Sequence, residues 1–201
     1  MTARLAKLAP AALDEEQRAV YEQIAGGPRA GGPFRLVDAA GGLEGPFNAF
    51  LLQPRLGHAL QALGAAVRYE TGLTERAREI AILVVAAATG SAFEQYAHEA
   101  VGRRAGLTDD ELAALREADT DRLADDAERL VATTTATLVA RGDLDDDEYE
   151  AAVSLLGLAG VFELLTLVGY YSTLALQLRV FRVGRPDGEQ GVDSREGDAE
   201  G

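Results

Sequence analysis

Two imidazoles and no thiol are what this chain offers for chemistry near neutral pH. His98 lies in Ser91-Ala92-Phe93-Glu94-Gln95-Tyr96-Ala97-His98-Glu99. Glu94 stands four residues before it and Ser91 seven before it, so on a helix all three share one face. A carboxylate beside an imidazole raises the imidazole pKa and fixes its tautomer, which is how a general acid or base is poised. Glu79 is the third candidate. It follows Arg76-Ala77-Arg78 and directly precedes the apolar run Ile80–Ala88. A carboxylate at the edge of a buried helix needs a partner; an ion pair to Arg76 or Arg78, or exposure near the helix start, is the ordinary alternative to a functional role. His58, in Arg55-Leu56-Gly57-His58-Ala59, sits on what reads as plain helix surface.

The absence of cysteine removes disulfides, thiolate zinc sites, iron–sulfur clusters and thiol nucleophiles together. Glu94 and His98 supply two metal ligands, but no second Glu-x-x-His element follows, so no metal and no cofactor are expected. The glycine-rich stretches follow no strand, which argues against a nucleotide cradle. The net charge of −14 opposes nucleic-acid and anionic-membrane partners.

These side chains need a scaffold, and the 201 residues are enough for a packed core. Leu13, Val20 and Ile24 share a face of a first helix, ended by Gly26-Gly27-Pro28. A Gly/Pro-rich connection runs to about Pro46; a loop that long inside a compact domain is often functional. Pro54 opens a second helix carrying Leu56, Leu60, Leu63 and Val67, closed by Gly72. Thr74 starts a third through Ile80–Thr89, and Ser91 is placed to cap a fourth ending at Gly106. Thr108-Asp109-Asp110-Glu111 has the capping-box pattern. Helices are further expected over Leu123–Ala140, from Asp145, and over Ala159–Phe181. No segment alternates convincingly, so the fold class is all-α: one domain over 1–183, then a disordered acidic tail over 184–201. Val153–Leu178 is apolar and long enough to span a bilayer. Glu163 inside it and a break at Gly157 and Gly160 favour a buried or subunit-facing helix. A homo-oligomer is expected on that ground. Residues 1–12 hold no apolar signal core, and a cytoplasmic location is expected.

From Gly45 to about Val183 the chain resembles the carboxymuconolactone decarboxylase-like family, which includes the alkyl hydroperoxidase D enzymes. The segments that carry the likeness are Gly45-Pro46-Phe47-Asn48-Ala49-Phe50, Arg76–Ile82, Phe93–Glu99 with Ala105-Gly106-Leu107-Thr108, and Gly169-Tyr170-Tyr171. The resemblance implies an alkyl hydroperoxidase D-like helical bundle. In the peroxidase branch a Glu precedes Cys-x-x-Cys-x-x-x-His; by position Glu79 matches the Glu, Ser91 and Glu94 the two cysteines, and His98 the histidine. The family's proton-relay pair is thus present as Glu79 and His98, and both redox cysteines are replaced. Neither Ser nor Glu can perform thiol redox chemistry, so the cysteine-free branch is implied and thiol peroxidase activity is not expected. Gln95 stands where that branch often carries Trp.

Two functions compete at this level. One is a cofactor-free enzyme of proton transfer or decarboxylation on a small carbonyl or lactone acid, with His98, Glu79 and Glu94 catalytic and Ser91, Tyr96, Phe47, Phe50 and Tyr170 against the substrate. The other is a non-catalytic oligomeric helical protein that binds a small molecule or acts as a scaffold.

Overall fold

The structure is a computed structural model and describes residues 3–186 and Gly188. Most of the expected acidic tail therefore lies outside the described residues. Among those described, the chain forms eight α-helices, two short 3-10 turns and no strand beyond an isolated Val37–Leu43 bridge. The helices are α1 (Glu15–Ala25), α2 (Phe47–Phe50), α3 (Pro54–Tyr69), α4 (Glu75–Thr89), α5 (Ala92–Arg104), α6 (Asp109–Arg116), α7 (Asp126–Arg141) and α8 (Asp146–Phe181).

Their starts follow the capping chemistry of the sequence. Asp14, Thr108 and Asp145 each close a reciprocal capping box with the side chain three residues on. Ser91 occupies the N-cap position of α5 but its hydroxyl makes no cap bond. α7 starts later than its apolar pattern suggests, because residues 120–122 form a 3-10 turn and Asp125 accepts from Ala127 and Glu128.

α4 is the central helix. Residues 79–86 are all buried, and it packs on α5, α7 and α8. That explains an apolar run without an amphipathic stripe: every side of the helix meets another one. Arg76, in its first turn, ties it to α6 and α7 by bonds of 2.7–2.8 Å to Glu111 and Glu128.

α3 turns a face to the core that its leucines did not indicate. Gly57, Gln61, Gly64 and Val67 are buried, whereas Leu56 and Leu63 are 57% and 40% exposed. The reason is close backbone approach. A Cβ at Gly57 would stand 2.1 Å from the Phe50 carbonyl oxygen, and one at Gly64 would stand 2.2 Å from the Tyr170 hydroxyl.

α8 bends at Gly157, whose backbone leaves the helical region (φ 68°, ψ 171°). By length and composition α8 could cross a membrane. In this fold Leu164, Leu167, Tyr171 and Leu174 face the core, and Leu158 and Phe162 stand outside, 67% and 70% exposed.

The 26–46 connection is an ordered loop. Asp38 folds it by accepting from the backbone N–H of Ala40 and Gly42 at 2.8–2.9 Å, and the Tyr21 hydroxyl donates to the Gly41 carbonyl. Lys7 pairs with both Asp38 and Glu44 at 2.8 Å.

Candidate functional site

α4 and α5 bring Glu79 and His98 together in the interior. Nδ1 of His98 lies 2.7 Å from Oε2 of Glu79, with the two side chains 9% and 1% exposed. Nδ1–H donating to the carboxylate is the tautomer that this contact supports. Arg68, from α3, completes the cluster: its guanidinium is 3.7 Å from Glu79 Oε1 and 3.5 Å from His98 Nδ1. Arg78 stands 3.9 Å from the same Oε1. The ring of Tyr171 meets the His98 ring edge-on at 5.1 Å.

The electrostatics invert one expectation. Burial pushes the Glu79 carboxyl up, but His98, Arg68 and Arg78 together hold it below the ordinary carboxylate range. Burial drives His98 down, and the nearby Arg68 and Arg29 charges add to that, so the Glu79 carboxylate does not restore its usual value. The pair rests as ionised Glu79 and neutral His98, not as a carboxylate with a raised-pKa imidazolium.

Glu94 shares the His98 face of α5 but does not pair with it. Both carboxyl oxygens are buried without a hydrogen-bond partner among the described residues. Burial pushes its pKa up to about 8, and the adjacent Ser91 hydroxyl, not in bonding geometry, offsets only part of that rise. Glu94 is thus a neutral carboxylic acid at pH 7.

Two cavities meet at this cluster. The inner one is about 30 Å³, room for one water, and its walls include Glu94, His98, Phe47, Tyr170 and Tyr171. The outer one is about 620 Å³ and is walled by the 28–34 stretch of the loop, the end of α3, and the facing sides of α4 and α5. Glu79 faces the outer cavity and His98 the inner one. Arg29, Arg68 and Phe34 wall both.

Of the residues expected around a substrate, Phe47 and Tyr170 line the inner chamber. Three do not line either cavity. Phe50 packs in the core, edge-on to Phe47 at 5.8 Å. Tyr96 leans on Phe93, and its hydroxyl accepts from the Arg35 backbone N–H. Ser91 lies beyond Glu94 at the α5 start and opens on a separate hollow beside Gln95 and Arg116. The helical turn explains these places: on α5 Phe93, Glu94, Ala97 and His98 line the chamber, and Ser91 and Tyr96 do not. Sequence reasoning missed Arg29 and Arg68. Arg68 is 11 residues from Glu79 and 30 from His98, and no periodicity links them.

Residues 54–136 match the sequence model of the Carboxymuconolactone decarboxylase family. That span holds Arg68, Glu79, Glu94 and His98. Over that span the chain is similar to the family. The chain has no cysteine, consistent with a cysteine-free branch. No match was found among curated proteins. Solved structures share the fold. A peroxidase-related protein with an alkylhydroperoxidase AhpD core from Ralstonia eutropha superposes with a TM-score of 0.73 at 15% identity, over 92% of this chain and 93% of that one. A peroxidase-related protein from a Silicibacter species gives 0.74 at 13% identity, covering 92% of each chain. The debrominase Bmp8, in a cysteine-to-alanine variant bound to 2,3,4-tribromopyrrole, gives 0.69 at 12% identity, over 92% and 95%. The all-α, AhpD-like architecture thus agrees with the reading of the sequence.

Proposed function

We propose that this protein is a cofactor-free acid–base enzyme acting next to a carbonyl on a small carbonyl or lactone acid, by decarboxylation or isomerisation, and not through thiol redox chemistry. The observation that carries the reading is Glu79: its Oε1 is buried without a hydrogen bond, His98 holds its Oε2, and the residue lines a cavity large enough for a small molecule. In this reading Glu79 takes a proton from carbon alpha to a carbonyl and returns it to the enolate so formed; where CO₂ departs instead, Glu79, ionised at rest, takes up a solvent proton and delivers it to the enolate. His98 orients the carboxylate and shares its proton across the 2.7 Å bond. The Arg68 guanidinium, on the same wall, stabilises negative charge as it develops on the carbonyl oxygen.

The test is a screen of small keto acids and lactones against the wild type and a folded His98→Gln variant. Turnover by the wild type, lowered at least about 100-fold in the variant, is expected. Equal turnover by both would remove His98 from the mechanism.

A second property is supported independently. Leu155, Leu158, Phe162 and Leu165 leave an exposed apolar row on α8, and contiguous exposed apolar surface of this kind marks association sites. We infer a homo-oligomer assembled through that row, which also accommodates a purely scaffolding role. Light scattering at micromolar concentration should give a multiple of 21.2 kDa; a monomer there would overturn it.

A further inference from the structure

The outer cavity carries a charge that the chain as a whole does not. The sequence has 33 acidic residues to 19 Lys and Arg, yet this one cavity gathers Arg29, Arg68, Arg78 and Arg104 against Glu75 and Glu79. Two of the four guanidiniums are engaged. Arg29 donates to Gln61 at 2.8 Å, and Arg68 serves Glu79 and Tyr171.

The other two are not. The Arg78 side chain is only 11% exposed, its Nε is buried without a hydrogen-bond partner, and its ion-pair contact, to Glu79, is 3.9 Å long. Arg104, in the last turn of α5, makes no hydrogen bond or ion pair among the described residues. A guanidinium presents five N–H donors in a planar fork; leaving the buried Arg78 fork without acceptors is costly, and the exposed Arg104 offers its donors at the same cavity. The acceptor that suits such a fork is an oxyanion, held by two parallel charge-assisted bonds.

The carboxylates in the same lining restrict the ligand further. Ionised Glu79 would repel a second negative group placed against it, while Arg68 beside it favours a neutral, polarisable oxygen there. We infer that Arg78 and Arg104 bind the oxyanion end of a small organic mono-acid and hold its neutral carbonyl end against Glu79 and Arg68. This rests on the acid–base reading of Glu79, and it adds two binding residues and a polarity for the substrate.

Binding, not turnover, tests it. Calorimetry should compare levulinate, a keto mono-acid, with its uncharged methyl ester and with inorganic phosphate. The proteins are the wild type, Arg78→Gln, Arg104→Gln and Glu79→Gln. Levulinate is expected to bind about tenfold or more tighter than the ester, and each arginine variant should weaken levulinate about tenfold while leaving the ester unchanged. Arg104 is exposed, so its variant reports on binding even if Arg78→Gln folds poorly. Glu79→Gln should bind levulinate as well as or better than the wild type. That result, with turnover absent everywhere, would leave the anion site standing and the enzyme reading fallen. Equal affinity for acid and ester, levulinate affinity unchanged in Arg104→Gln, tighter binding of phosphate than of levulinate, or no levulinate binding up to about 10 mM would each overturn the inference.

Discussion

Glu79→Gln is expected to lower turnover by about 10²–10⁴-fold while the helical far-UV spectrum stays unchanged. The amide keeps the size of the side chain and can still accept from His98 Nδ1–H, but it cannot take a proton. Because Glu79 acts as the reacting base in this reading, the loss should fall mainly on kcat, with KM little altered. The pH profile gives a second signature. Glu79 is held ionised below the usual carboxylate range and His98 is neutral at pH 7. Wild-type activity should therefore hold through neutral pH and decline only on the acid side, as the Glu79–His98 pair takes up protons. Retention of wild-type kcat by a folded Glu79→Gln would exclude the carboxylate as the reacting base.

Glu94→Gln is expected to stabilise the protein in a pH-dependent way. The Glu94 carboxyl, raised by burial to about 8, ionises near 4.5 in the unfolded chain. Between those values the folded state holds a proton that the unfolded state has released. Stability must therefore fall as pH rises from 4.5 to 8 and level off above, by as much as about 5 kcal/mol at 1.36 kcal/mol per pH unit. A glutamine fills the same space without ionising. The variant should match the wild type below pH 4.5 and exceed it increasingly toward pH 8, by chemical denaturation at each pH. A difference that stays constant over this range would show that Glu94 ionises in the folded protein as it does in water. The wall around this carboxyl includes Arg29, Arg68, His98 and Tyr170. None bonds to it, which is why burial prevails over their charges.

Much of the architecture could be read from local chemistry. Carboxylates and hydroxyls at Asp14, Thr108 and Asp145 mark helix starts because backbone N–H groups there need acceptors, whatever the tertiary context. The break in the last apolar stretch was also legible, since Gly157 takes a backbone conformation that other residues avoid. Pairing across helices was not. Glu79 could have gone to Arg76, but Arg76 is drawn to Glu111 and Glu128 on other helices. Its choice of His98 depends on how α4 and α5 cross. Helical spacing placed Glu94 on the His98 face correctly, yet a shared face does not make a bond: the two side chains open on one chamber without touching. The inward glycine face of α3 was hidden for a related reason, because leucines at helical spacing mark a stripe without saying whether it meets the core or water.

Arg29 and Arg68 each stand in the wall between the two cavities, and one guanidinium cannot serve both sides at full strength. Whatever fills the outer cavity therefore alters the field in the inner one. By thermodynamic reciprocity, a proton gained or lost at Glu94 changes the outer cavity's hold on its occupant by the same factor that the occupant changes the proton's. Ligand affinity in the outer cavity and proton uptake at Glu94 are then two measures of a single coupling.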